Sequence, residues 1–139
     1  MMDAGERRAL VSKLRRGPRG WGMLLPREAG EFQGKRIAVE VRHSLPEGPE
    51  PPLTDKELKL IGQIFEHLPK LLARAEREFE EAARTVLDEE NRLGRPQIWI
   101  DRDDEQPGRW TLVAELADSA FAWHIVFVGT KFQEMWAAG

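Results

Sequence analysis

Cysteine and tyrosine are absent from this 139-residue chain, and serine occurs only at Ser12, Ser44 and Ser119. Without thiols there are no disulfides and no thiolate metal sites, and the cytoplasm is the default compartment. None of the serines has the flanking glycines of a nucleophile elbow. Gly17, Gly20 and Gly22 lie close together but lack the lysine and the strand–turn–helix setting of a phosphate loop. No apolar run approaches the roughly 18 residues of a spanning helix, and no hydrophobic signal segment follows the first charges, so no membrane association is expected. What remains is 41% apolar and 32% charged, the make-up of one hydrated globular domain.

The net charge of −3 is unevenly spread. Residues 1–20 hold six basic side chains against Asp3 and Glu6, and the rest of the chain is mildly acidic. This divides the chain into a basic N-terminal arm or short helix over 1–20 and a single domain over 21–139. Arg7, Arg8, Lys13, Arg15 and Arg16 could hold phosphates electrostatically, although no aromatic is interleaved for base stacking.

The regular elements are legible in the spacing. Residues 36–43 alternate as a half-buried strand, and a proline-rich connector follows over 45–52. Thr54-Asp55-Lys56-Glu57 is a capping box, with Leu53 and Leu58 placed as a hydrophobic staple. Apolar residues then fall at Leu58, Ile61, Phe65, Leu68, Leu72, Ala75, Phe79, Ala82 and Val86, alternately three and four apart. Pro69 is costly inside a helix and cheap at the start of one. Two consecutive helices are therefore expected, about 54–67 and 69–92, bent at Pro69, with Glu66/Lys70, Arg77/Glu81, Glu80/Arg84 and Arg84/Asp88 as surface pairs. His67 at the bend is expected to bond a free carbonyl. The helical stripe either packs on the chain's own sheet, the preferred reading, or pairs between chains, which leaves the protein a monomer or a homodimer.

Strands follow near 97–101, 109–116, 122–128 and 131–136. The expected fold is α+β, an antiparallel sheet of five to six strands with both helices covering one face. Gly129-Thr130 is a two-residue hairpin turn of type II′. The register counted from it pairs Phe127 with Phe132, Ile125 with Glu134, and Trp123 with Trp136. Trp123, Phe127, Phe132 and Trp136 then share a face beneath the helices, and Trp136→Ala is expected to cost roughly 3–5 kcal/mol. Glu134 falls on that same face, as a carboxylate to be paired or protonated.

Candidate chemistry is sparse. Asp101, Asp103, Asp104 and Glu105 make the most acidic loop, but Gln106 stands where a calcium loop needs glycine. His43, His67 and His124 are far apart in sequence, and no pair suggests zinc. No metal, cofactor or assembled catalytic set is read from the chain.

Asp118-Ser119, Phe121, Trp123, Phe127, Gly129, Phe132 and Met135-Trp136-Ala137 resemble the closing signature of uncharacterised bacterial domains found near polymorphic-toxin and immunity-type genes. The helix opening Leu53-Thr54-Asp55-Lys56-Glu57-Leu58 is similar in order and spacing. The resemblance spans about residues 31–137, loosely, and is closest at the C-terminal hairpin. It implies a small α+β domain with no cofactor and, in an immunity-like role, one that binds and blocks a partner.

The leading expectation is thus a non-enzymatic protein-interaction domain, with Asp101, Asp103, Asp104, Glu105, Trp99, Trp110 and Glu134 as partner-binding candidates, since tryptophan is enriched among interface anchors. The alternatives are nucleic-acid association through the basic arm, and an unrecognised enzyme using Glu134 or Asp118 with His124.

Overall fold

In a computed structural model that describes residues 1–43, 50–84 and 92–139, helix α1 (Ala4–Ala9) leads into strands β1 (Arg15–Gly17) and β2 (Gly20–Leu24). The small strands β3 (Glu31–Phe32) and β4 (Lys35–Arg36) form a separate hairpin before β5 (Ala38–Arg42). Helices α2 (Asp55–Glu66) and α3 (Leu68–Ala83) precede β6 (Gln97–Asp101), β7 (Arg109–Glu115), β8 (Ala122–Val128) and β9 (Lys131–Ala138). The main sheet has seven strands in the order β1-β2-β5-β6-β7-β8-β9. The α+β class holds, with more strands than the alternation revealed. The extra members, β1 and the β3–β4 pair, are too short to carry a repeat.

The sheet is mixed rather than wholly antiparallel. β5 and β6 run parallel, because α2 and α3 carry the chain back across the face between them. The Thr54 capping box forms as read, with the Thr54 hydroxyl accepting from the Glu57 amide and the Glu57 carboxylate from the Thr54 amide. A second box, Asp3 with Glu6, opens α1. The break falls at His67, and Pro69 sits in the first turn of α3, where its missing N–H has no partner to lose. Of the expected second helix, residues 85–91, with Val86 and Asp88, lie outside the described residues, and Arg92 is not helical.

Ile61, Phe65, Leu68, Leu72, Ala75 and Phe79 are buried, joined by Ile64 and Leu71, while Leu58 and Ala82 are exposed. The described stripe packs on the chain's own sheet, as the preferred reading has it. The carbonyl-capping role expected of His67 is taken by Arg7, whose Nε and Nη2 donate to the Glu66 carbonyl at the end of α2. The His67 ring lies against the Glu66 carboxylate instead. Arg8 also pairs with Glu66, so this carboxylate faces α1 rather than Lys70. Among the described residues, the i,i+4 ion pair on α3 is Arg74–Glu78.

The expected hairpin register holds for two pairs and then breaks. Val128 faces Lys131 and Phe127 faces Phe132 across a turn in which Gly129 has φ +58°. Beyond them a β-bulge admits Gln133 as an extra residue, so Val126 faces Glu134, Ile125 faces Met135, and His124 faces Trp136. One added residue reverses every later side chain. Trp123 keeps its expected place, buried edge-on against Phe79 at 5.1 Å. Trp136 and Glu134 turn to the opposite face, and both are exposed.

The core lies between α2, α3 and one face of the sheet. Phe32, Phe79, Trp123 and Phe121 form a chain of edge-to-face contacts with centroid separations of 5.2, 5.1 and 4.9 Å. Such pairs add about 0.5–1.5 kcal/mol each beyond their buried area. Among the described residues, no helix is long and apolar enough to cross a membrane.

Candidate functional site

Both described helices of the β5–β6 crossover and the β3–β4 hairpin pack on one face of the sheet. Strand pairing places Glu40, Arg42, Trp99, Thr111, Val113, His124, Val126 and Trp136 together on the other. No described element covers that second face.

Aromatic rings run across it. His124 and Trp136, directly opposite on neighbouring strands, stack with centroids 3.8 Å apart and planes at 4°. Rings stacked in this way on adjacent strands stand upright on the sheet. Because β9 is the edge strand, the far side of the Trp136 indole looks past the end of the sheet, and the residue is 46% exposed. Trp99 approaches His124 from the other side at 6.1 Å. Its indole N–H donates to Gln97 Oε1 at 2.6 Å, and the Arg42 guanidinium lies 5.8 Å from its ring. Val113 and Val126 are buried on this face without belonging to the helix-side core. Toward β2 the face sinks into a groove of about 320 Å³ floored by Gly22 and Ala38 and flanked by Arg15 and Arg19.

Burial pushes the His124 imidazole below its usual pKa, opposed in part by the Glu115 carboxylate. The ring is therefore set to be neutral where it stacks. Among the described residues, no carboxylate lies within ion-pair distance of the ring. Asp118 is exposed in the turn before β8, and Glu134 and His124 sit on different strands of the open face.

The partner-binding candidates separate in space. Trp99, Asp101 and Glu134 lie on the uncovered face. Trp110 does not: it is buried, stacked on Phe127 at 4.6 Å, with its N–H donating to the Gly129 carbonyl. The acidic loop is stitched to itself and its neighbours. Asp101 accepts from the Asp103 amide, and Asp104 accepts from the Gln106 amide and pairs with Arg109 at 2.7 Å. Glu105 is exposed. Among the described residues, no three acidic or histidine side chains gather closely enough to hold a metal ion.

The basic residues near the N-terminus have internal partners. Arg7 and Arg8 hold Glu66, Arg15 donates to the Ser12 and Leu14 carbonyls, and Arg16 lies over Trp21. Lys13 is exposed.

Sequence reasoning missed a polar clamp at the carboxyl ends of β5 and β6. The Arg102 side chain, 4% exposed, uses all five N–H groups: Nε and Nη2 donate to Glu57, Nη1 to Glu50, and the rest to the carbonyls of Pro51 and Pro52. Glu50 is equally buried and accepts from the His43 amide while touching its ring at 2.8 Å. Burial alone would raise the Glu50 carboxyl, but His43 and then Arg102 hold it below its ordinary value. Glu57 is likewise lowered by Arg102 and Thr54 against the cost of burial. A guanidinium with every donor satisfied is a structural staple rather than a ligand-binding group. The only signal in the sequence was the proline pair itself, which offers acceptors and no donors.

Comparison with protein-family models, curated proteins and solved structures finds no match for this chain.

Proposed function

We propose that this chain is a non-enzymatic protein-interaction domain, immunity-like in role, which binds and blocks a partner protein through the uncovered face of its sheet. The observation that carries this reading is the half-exposed Trp136, stacked on His124 and continued by Trp99 across a face that no described helix covers. Rigid, partly buried tryptophans are the residues from which interface energy is built. Seven strands at about 4.8 Å spacing and roughly six residues of strand length give about 600 Å² before side-chain relief. That approaches the ~800 Å² per partner of a standard interface.

Charge favours a protein over a nucleic acid. Arg42 on this face is matched by Glu40 at 3.1 Å and Arg109 by Asp104 at 2.7 Å, and Asp101 and Glu134 stand on the same face against Arg15 and Arg19 at the groove. A phosphate backbone needs an unbalanced positive surface. The resemblance of the C-terminal hairpin to domains near toxin and immunity genes points the same way, and the lack of cysteine suits a cytoplasmic setting.

The test is binding to the product of the neighbouring gene, measured by calorimetry with the wild type and with Trp136→Arg. Saturable binding lost by at least about tenfold in the variant, with its melting temperature maintained, is the expected result. Equal binding by both proteins would remove the uncovered face from the mechanism, and absence of any binding or inhibition would remove the immunity-like role.

A further inference from the structure

A second site lies on the helix-covered side, in a cleft of about 520 Å³ between α3 and the β8–β9 turn. Lys70, Arg74 and Arg77 line one wall from successive turns of α3, and Lys131 faces them from the start of β9. Phe127 and Phe132, edge-to-face at 6.0 Å, supply an apolar floor. No carboxylate lines the cleft.

Three of the four cations are not consumed by the fold. Among the described residues, no acidic group lies within ion-pair distance of Lys70, Arg77 or Lys131. Arg74 is held by Glu78 through Nε alone, at 3.0 Å, and its guanidinium rests 4.5 Å from the Phe132 ring centroid. Two contacts therefore fix the plane of the fork and leave its Nη edge for a bidentate anion. Gathering four positive charges in one cleft of a chain with net charge −3 costs repulsion that, among the described residues, only the Arg74–Glu78 pair offsets.

We propose that this cleft binds a small organic anion, a phosphate monoester or a compact carboxylate carried on an aromatic or apolar body. The cationic wall takes the charged head and the phenylalanine floor takes the body. Its volume is within the ordinary range for small-ligand sites, about 300–1,000 Å³. The wall from Lys70 to Arg77 is about 10 Å long by helix rise. Glu80 and Glu81 follow on the same helix, exposed, and would repel a polyanion extending beyond the cleft. A short anion fits these limits and a nucleic-acid backbone does not. The site is separate from the uncovered face, so it stands or falls independently of the interaction proposed above.

The test uses phenyl phosphate as the probe, with inorganic phosphate lacking the body and benzyl alcohol lacking the charge. Titrations of the full chain are followed by calorimetry and by amide NMR shifts. Phenyl phosphate is expected to saturate one site, at least about tenfold more tightly than either control, and to shift amides in 70–77 and 127–132. The Lys70→Glu/Arg77→Glu variant, altered at exposed positions, should lose that binding, and so should Lys131→Glu. Phe132→Leu should narrow the gap between phenyl phosphate and phosphate. The proposal is overturned if no saturation is reached by about 10 mM probe. It is equally overturned if the charge-reversed variants, still folded by their amide spectra, bind as the wild type does.

Discussion

Trp123 and Trp136 carry the same indole and lie on neighbouring strands, yet they face opposite sides of the sheet. Trp123 is 3% exposed and wedged between Phe79 and Phe121, so Trp123→Ala leaves a cavity and should cost about 3–5 kcal/mol. Trp136 is 46% exposed, and its loss removes one stacking contact with His124 and little core. Trp136→Ala should therefore cost about 1 kcal/mol, in line with a single cross-strand aromatic pair. Urea denaturation of both variants at neutral pH measures the contrast. Equal losses would place Trp136 in the core after all.

At the scale of elements, the periodic parts of the sequence were readable and the aperiodic ones were not. The helix stripe, the capping box at Thr54, the break near Pro69 and the turn at Gly129-Thr130 all depend on spacing, which a single sequence displays. The bulge at Gln133 does not. Nothing in the run from Lys131 to Trp136 marks which residue is skipped, and the aromatic alternation pointed to an unbroken ladder. The place of Trp136 and Glu134 on the uncovered face was hidden for the same reason, since both depend on that one displaced residue. The Arg102 clamp was invisible because it joins residues 45 to 52 positions apart in the chain. Its consequence is a measurable coupling between elements. Arg102→Met removes the staple that ties residues 50–52 and the first turn of α2 to the end of β6. It also leaves the buried Glu50 with His43 as its remaining partner. Breaking a buried pair from one side costs about 3–5 kcal/mol. The companion Arg102→Met/Glu50→Gln should recover part of that loss, because the orphaned charge is gone. If the single variant is as stable as the wild type in urea, the clamp contributes no net stability.

For the molecule as a whole, three packed side chains with perturbed pKa values act on acid stability in the same direction, as does Asp3 in its exposed capping box. Glu50, Glu57 and His124 each have a folded-state pKa below the usual value. In each case the unfolded chain binds protons more readily than the folded one, so stability rises with pH across the interval between the two values. The His124 contribution is present above the unfolded value of 6.5 and is lost as pH falls through the lower folded value. The Glu50 and Glu57 contributions are present above 4.5 and are lost as their clamp is protonated. Urea midpoints recorded from neutral pH downward should fall in two stages, one beginning near 6.5 and a second below 4.5. His124→Phe keeps a flat ring against Trp136 but cannot take a proton. His43 and His67 are common to both proteins, so the difference between the two profiles isolates His124. That variant should lose its share of the first stage and keep the second. Superimposable profiles down to pH 5 would mean that protonating the ring costs nothing in the stack. The uncovered face would then be equally stable with a charged or a neutral histidine at its centre, and binding through it would carry no His124-dependent sensitivity to mild acid.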